Sequence, residues 1–189
     1  MSDPCFPVPE LNLLKELQDR FPKEHYAGWF ELFDHVDTKY VSGLGHPEFA
    51  ERLLPFAYAT SSGSFYCLWR CDDREDLATL PVIFCGDEGE LFIEASSLYE
   101  LFRLLALDHA HFDDSVNPDN EDECTGGHRE YLAWLRDNFG LAAPRSAAEI
   151  HEAAFAQYGR PFAEWWMRLS SDYSESVEDM LEELSDRWS

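Results

Sequence analysis

Six residues in one stretch carry the side chains that a transition metal binds. His109, His111, Asp113, Asp114, Cys124 and His128 offer imidazole, carboxylate and thiolate, all competent zinc ligands. Their order, an HxH and much later a CxxxH, is not a ligand spacing found on a defined scaffold, and the same residues suit a solvated polar loop. The expectation is therefore no metal and no cofactor. A calcium loop of the EF-hand kind is excluded, because NPDNEDECTGG lacks the glycine at the sixth position and the closing glutamate.

Other chemistries fail on similar grounds. The glycines at 43, 45, 86 and 89 stand without the lysine and helix context of a phosphate-binding loop. Ser62-Gly63-Ser64 reads as polar turn material rather than a nucleophile poised between a strand and a helix. Cys67 and Cys85 lie inside apolar segments, where burial raises a thiol's pKa and leaves it inert, and Cys124 sits among carboxylates that disfavour a thiolate. Asp72–Asp73 and Glu182–Glu183 are adjacent along the chain, so the members of each pair do not face one another. No residue is expected to be catalytic.

These residues must be positioned by a fold whose middle is the most legible part. In residues 64–70, Phe65, Cys67 and Trp69 point one way and Tyr66 and Leu68 the other. Apolar side chains on both faces predict an inner strand. VIFC and LFIEA, joined by GDEGE, read as a hairpin. The sheet is expected within residues 56–95. A helix follows, opened by Ser97 and Glu100 at capping-box spacing, with Leu98, Leu101, Phe102 and Leu105 on one stripe.

Before the sheet, residues 9–21 read as a short helix stopped by Pro22, and Pro47 opens one or two helical turns ended by Pro55. In between, Tyr26, Trp29, Phe30 and Phe33 fit a helix, whereas Val36 and Tyr40–Val41 suit a strand. Residues 128–139 predict a helix closed by Gly140. A further helix over 147–158 starts at Ser146…Glu149 and stops at Gly159, and Pro161 begins another. Val177, Met180, Leu181, Leu184 and Trp188 predict an amphipathic terminal helix, which docks on its own domain or on a partner's groove. The fold class is α+β: an antiparallel sheet with helices packed on one face, plus a C-terminal helical extension. Its divisions are residues 1–107, an acidic loop or linker at 108–127, and a helical region at 128–189 packed on the first domain.

Charge narrows the partners. The 189 residues include 38 acidic and 14 basic ones, a formal net charge of −24. Nucleic acid would need phosphate-neutralising Lys and Arg, and an anionic membrane surface would be repelled. Neither is expected, and the partners that charge allows are basic proteins, metal cations or uncharged ligands. No run approaches the roughly 18 apolar residues of a membrane span. The first ten residues lack a basic n-region, so no secretory signal is expected. Five scattered cysteines without a CxxC fit reduced thiols in the cytoplasm.

The segment PFAYATSSGSFYCLWR…LPVIFCGDEGELFIEASSLYELFRLLA, about residues 55–106, resembles the SUKH superfamily. The likeness lies in Pro55-Phe56-Ala57 before a Ser-Gly turn, the aromatic strand, Pro81-Val82, the Gly86…Glu88-Gly89-Glu90 turn and the serine-initiated helix from Ser97 to Leu107. The first 45 residues depart from the family pattern. That superfamily includes fungal cell-wall-assembly regulators and immunity proteins of bacterial polymorphic toxin systems. The resemblance rests on packing and turn residues, so it bears on fold more than on function.

Together these features predict a non-enzymatic binding protein, a monomer or weak dimer, of the immunity or antitoxin-like kind, covering a basic toxin domain. The residues expected to meet the partner are Asp113, Asp114, Asp119, Glu121, Asp122, Glu123, Glu178, Asp179, Glu182 and Glu183. The remaining readings are a regulatory scaffold of the same fold with a cellular partner, and a small metal-dependent hydrolase using the 109–128 cluster.

Overall fold

The computed structural model describes residues 5–21, 26–28, 30–107, 127–170 and 176–186. Its centre is a five-stranded antiparallel sheet in simple sequential order, β1 (Glu31–Leu32), β2 (Leu53–Tyr58), β3 (Phe65–Trp69), β4 (Val82–Cys85) and β5 (Leu91–Ala95). The two-sided pattern of β3 is realised. Tyr66 and Leu68 enter one core, Cys67 and Trp69 the other, and β4 divides likewise, with Val82 and Phe84 opposite Ile83 and Cys85. Successive side chains of a strand alternate between faces, so an inner strand apolar on both faces needs cover on both.

The cover comes from helices. On the first face lie α1 (Pro9–Gln18), α4 (Leu98–Leu105) and α5 (His128–Phe139), contributing Leu11, Leu14, Leu101, Phe102, Tyr131 and Leu135. The second face is covered by α2 (Lys39–Ser42), α3 (Pro47–Arg52), α6 (Ala147–Leu169) and α7 (Val177–Asp186), which contribute Val41, Phe49, Phe162, Trp166, Met180 and Leu184. Each such side chain, fully buried, contributes about 1.5–3 kcal/mol. The α+β class holds, but helices pack on both faces of the sheet rather than on one, because its inner strands are apolar on both sides.

The caps match the sequence reading. Ser97 Oγ accepts the Glu100 N–H at 3.2 Å, and Ser146 Oγ accepts that of Glu149 at 3.4 Å. Gly140 ends α5 with φ +67°, the left-handed conformation that favours glycine there. One edge is protected by a side chain: Gln18 Oε1 accepts the Leu32 N–H at 2.7 Å and Gln18 Nε2 donates to the Leu32 carbonyl at 3.2 Å. This amide occupies hydrogen-bonding groups on β1 that an edge strand otherwise offers to other chains.

Three local expectations fail for tertiary reasons. In the aromatic stretch expected to begin as helix and continue as strand, the described residues do the reverse, and Trp29 lies outside them. Phe30 N–H closes a turn onto the Ala27 carbonyl, Glu31–Leu32 pair with β2, and Tyr40–Val41 lie in the single turn of α2. Burial of Val41 under the second core outweighs its β-branched preference. Pro55 lies inside β2 instead of beyond a helix, and with β1 at Glu31–Leu32 the sheet reaches well before residue 56. The register shifts between Pro55 and Ala57, and such a bulge accommodates a residue that has no N–H for the ladder. Finally, α6 runs unbroken through Gly159 and Pro161. An interior proline costs about 3 kcal/mol, but continuity puts Tyr158, Phe162, Ala163 and Trp166 on the sheet together.

Candidate functional site

Where the open end of the sheet meets the last turn of α6, a cleft of about 420 Å³ opens to solvent. Its walls are aromatic and aliphatic, with Tyr40, Phe65, Leu91, Trp166 and Leu169, and Leu44 stands on its lip with 39% of its surface exposed. Asp87 and Glu90 supply carboxylates. Among the described residues, no Lys, Arg or His lines it.

Each wall is held by identifiable contacts. Phe65 and Cys85 pair across β3 and β4, which brings the first turn-facing residues of both strands to the cleft. The GDEGE turn closes through the Gly86 N–H on the Glu90 carbonyl at 2.7 Å and the Gly89 N–H on the Gly86 carbonyl at 3.2 Å, with Gly89 at φ +102°. The Glu90 side chain folds back over Gly86, into space that a Cβ there would need. Ser64, almost fully buried, ties this turn to its neighbour. It donates to Asp87 Oδ1 at 2.7 Å and accepts the Asp87 N–H at 3.2 Å, and Ser62 Oγ donates to the same Oδ1 at 3.1 Å. The Ser64 hydrogen bond is the main cause that lowers the Asp87 carboxyl below its ordinary range. Asp87 is therefore a charged, immobilised group.

The opposite wall is aromatic. Tyr40 stacks on Phe33 at 4.7 Å and meets Phe65 at 5.3 Å, and its hydroxyl shares a hydrogen bond with that of Tyr58. That bond, with burial adding to it, raises the Tyr40 phenol. Trp166 packs on Phe49 at 4.6 Å and Phe162 at 5.7 Å. Its indole N–H is buried, and no acceptor among the described residues reaches it. Next to Trp166, Glu48 accepts the Trp165 indole N–H at 3.0 Å and N–H bonds from the two terminal guanidinium nitrogens of Arg168 at 2.8 and 3.3 Å, fastening α3 to the end of α6.

A shallow recess continues from the cleft past Trp166 to α7, lined by Gly89, Leu91, Met167, Met180, Leu184 and Glu183. Two of the α7 carboxylates expected to meet a partner are engaged within the chain. Glu178 lies 3.5 Å from Arg160. Asp179 accepts the Ser176 N–H and hydroxyl, both at 2.8 Å, and the backbone bond is the chief cause that lowers its carboxyl. Glu182 and Glu183 are exposed. Among the described residues, no Lys or Arg forms an ion pair with Asp87, Glu90, Glu182 or Glu183. The remaining expected contact residues, Asp113, Asp114, Asp119, Glu121, Asp122 and Glu123, lie outside the described residues, as do His109, His111 and Cys124.

His128 does not lie in a polar loop. It opens α5 at 8% exposure and stacks on Tyr131 at 6.5 Å. Among the described residues, no three His, Cys, Asp or Glu side chains gather as a metal site. Cys67 and Cys85 are buried with sulfurs 4.0 Å apart, and burial pushes the Cys67 thiol well up. A buried ionisable pair went unrecognised in the sequence: Glu94 of β5 and His151 of α6, with Oε1 and Nε2 3.4 Å apart and 0% and 2% exposure. A lone carboxylate inside LFIEA was its only signal. The pair is closed off from solvent and lies where β5 meets α6. The cleft itself had no sequence signal, since its residues come from five separate elements.

No described helix is long and apolar enough to cross a membrane. No protein-family model matches the chain, and neither curated proteins nor solved structures give a match.

Proposed function

We propose that this chain is a non-enzymatic binding module that covers a basic protein, in the manner of an immunity protein of the SUKH kind facing a basic toxin domain. The observation that carries the reading is the collection of carboxylates that form no ion pair among the described residues, beside an apolar cleft, on a chain whose net charge is −24. Complementary fields of this sort steer association and set partner choice. Protein interfaces are built from an apolar centre with a polar rim, and the cleft sets Leu44, Trp166 and Leu169 beside Asp87 and Glu90, with Glu183 in the adjoining recess. Buried reduced thiols suit the cytoplasm, where such a protein would meet its partner.

Capture from the native host followed by kinetics on the purified pair tests the reading. The captured protein is expected to be net positive, and co-expression should relieve its toxicity. Its association rate should fall as salt rises from about 50 to 500 mM, where the screening length shrinks from roughly 14 to 4 Å, while dissociation changes little. An acidic or neutral partner, or a flat salt profile, overturns it.

A further inference from the structure

We propose that the cleft between the Gly86–Glu90 turn and the last turn of α6 is the anchor site for an arginine side chain projecting from that basic partner. This rests on the binding reading above and adds the site and the residue type. The walls suit a guanidinium better than any other common group. Tyr40, Phe65 and Trp166 line the cleft, and a guanidinium, weakly hydrated and planar, stacks on aromatic faces where an ammonium stays solvated. Leu91, Leu169 and the exposed Leu44 provide apolar surface for the aliphatic stem.

Charge selects the same occupant. Asp87 is held ionised by Ser64 and Ser62, Glu90 folds back over Gly86 in the same turn, and Glu183 lines the recess beyond Trp166. An anionic or carboxylate-bearing ligand would be repelled, and a neutral apolar one would leave these charges partly desolvated without compensation. The volume of about 420 Å³ lies in the range of ligand pockets, roughly 300–1,000 Å³, so an arginine enters together with part of its flanking chain.

The test titrates the isotope-labelled full chain with Nα-acetyl-arginine N-methylamide, followed by NMR at the Trp166 indole N–H and the amides of Gly86, Gly89 and Leu44. The neutral citrulline counterpart has nearly the same shape, and the lysine counterpart has the same charge. Saturable shifts with arginine, weaker ones with lysine and none with citrulline are the expected result. Glu90→Gln, an exposed near-isosteric change, should weaken arginine binding by a factor of about 2 to 5, the worth of one partly exposed ion pair. Equal responses to citrulline, no response at these four groups, or arginine shifts confined to α7 would each overturn the proposal. A silent cleft in a chain that still captures a basic partner in a salt-dependent way removes this site and leaves the binding reading intact. A responsive cleft without such a partner does the opposite.

Discussion

Replacing Pro161 with alanine should make this protein more stable, and the sign of that change decides how the second face is built. Pro161 sits 14 residues after the first residue of α6 and 8 before the last, with its ring exposed. It therefore leaves the Gln157 carbonyl without a helical donor and packs against little. Restoring an interior N–H with alanine recovers about 3 kcal/mol of helix propensity. Freeing the unfolded chain from proline's restriction returns about 0.4–1 kcal/mol to the other side. The net gain is about 2 kcal/mol, which for a chain of this size corresponds to a Tm rise of about 4–8 °C. Thermal and urea unfolding followed by far-UV circular dichroism would measure it. Had the helix broken at Gly159, Pro161 would occupy a first helical position, where proline is favoured, and alanine would leave Tm unchanged or lower it. Either of those outcomes refutes the continuous helix, and with it the placement of Trp166 and Leu169 in the cleft wall. Gly159→Ala is a useful companion. Its Cβ would stand 2.9 Å from the Phe155 ring, so its propensity gain should be smaller than that of Pro161→Ala.

Tyr99 should titrate at about 12, because burial and then the hydrogen bond to Glu10 Oε1 at 2.8 Å favour its neutral form. A phenol raised in the fold adds stability that is complete below pH about 10 and lost as pH climbs toward 12. Glu10→Ala should bring the ring-carbon NMR midpoint part of the way down, and a native midpoint near 10 would contradict the geometry. Asp72 behaves in the opposite sense: the hydrogen-bonded Arg74 guanidinium holds its carboxyl at about 2. Its contribution is present above the unfolded value near 3.8 and lost as pH falls toward 2. Being half exposed, it contributes little, but Arg74→Gln should return the carboxyl carbon's titration to the ordinary range. Among the described thiols, exposed Cys5 should react with a disulfide reagent in the native protein, and Cys67 and Cys85 only on unfolding. Peptide mapping that finds Cys67 modified as fast as Cys5 would reject the buried placement.

What the sequence determined by itself was everything set by local periodicity and local hydrogen bonding. The alternation of Phe65–Trp69 required an inner strand with two covered faces, GDEGE required a turn, and Ser97, Ser146 and Gly140 marked helix ends because each satisfies backbone groups within a few residues. The −24 charge likewise follows from composition alone. Tertiary structure decided the rest. Whether Tyr40–Val41 became strand or helix, whether Pro55 ended a helix or sat at a bulge, and whether α6 survived Pro161 all depended on burial against distant residues. Such burial contributes as much as the local preferences it overrides. The cleft is the extreme case. Leu44, Phe65, Asp87, Glu90 and Trp166 are separated by up to 122 positions along the chain and share no spacing rule. Only the antiparallel register, with Ser64 locking two turns side by side and Glu48 fastening α3 to α6, brings them to one place.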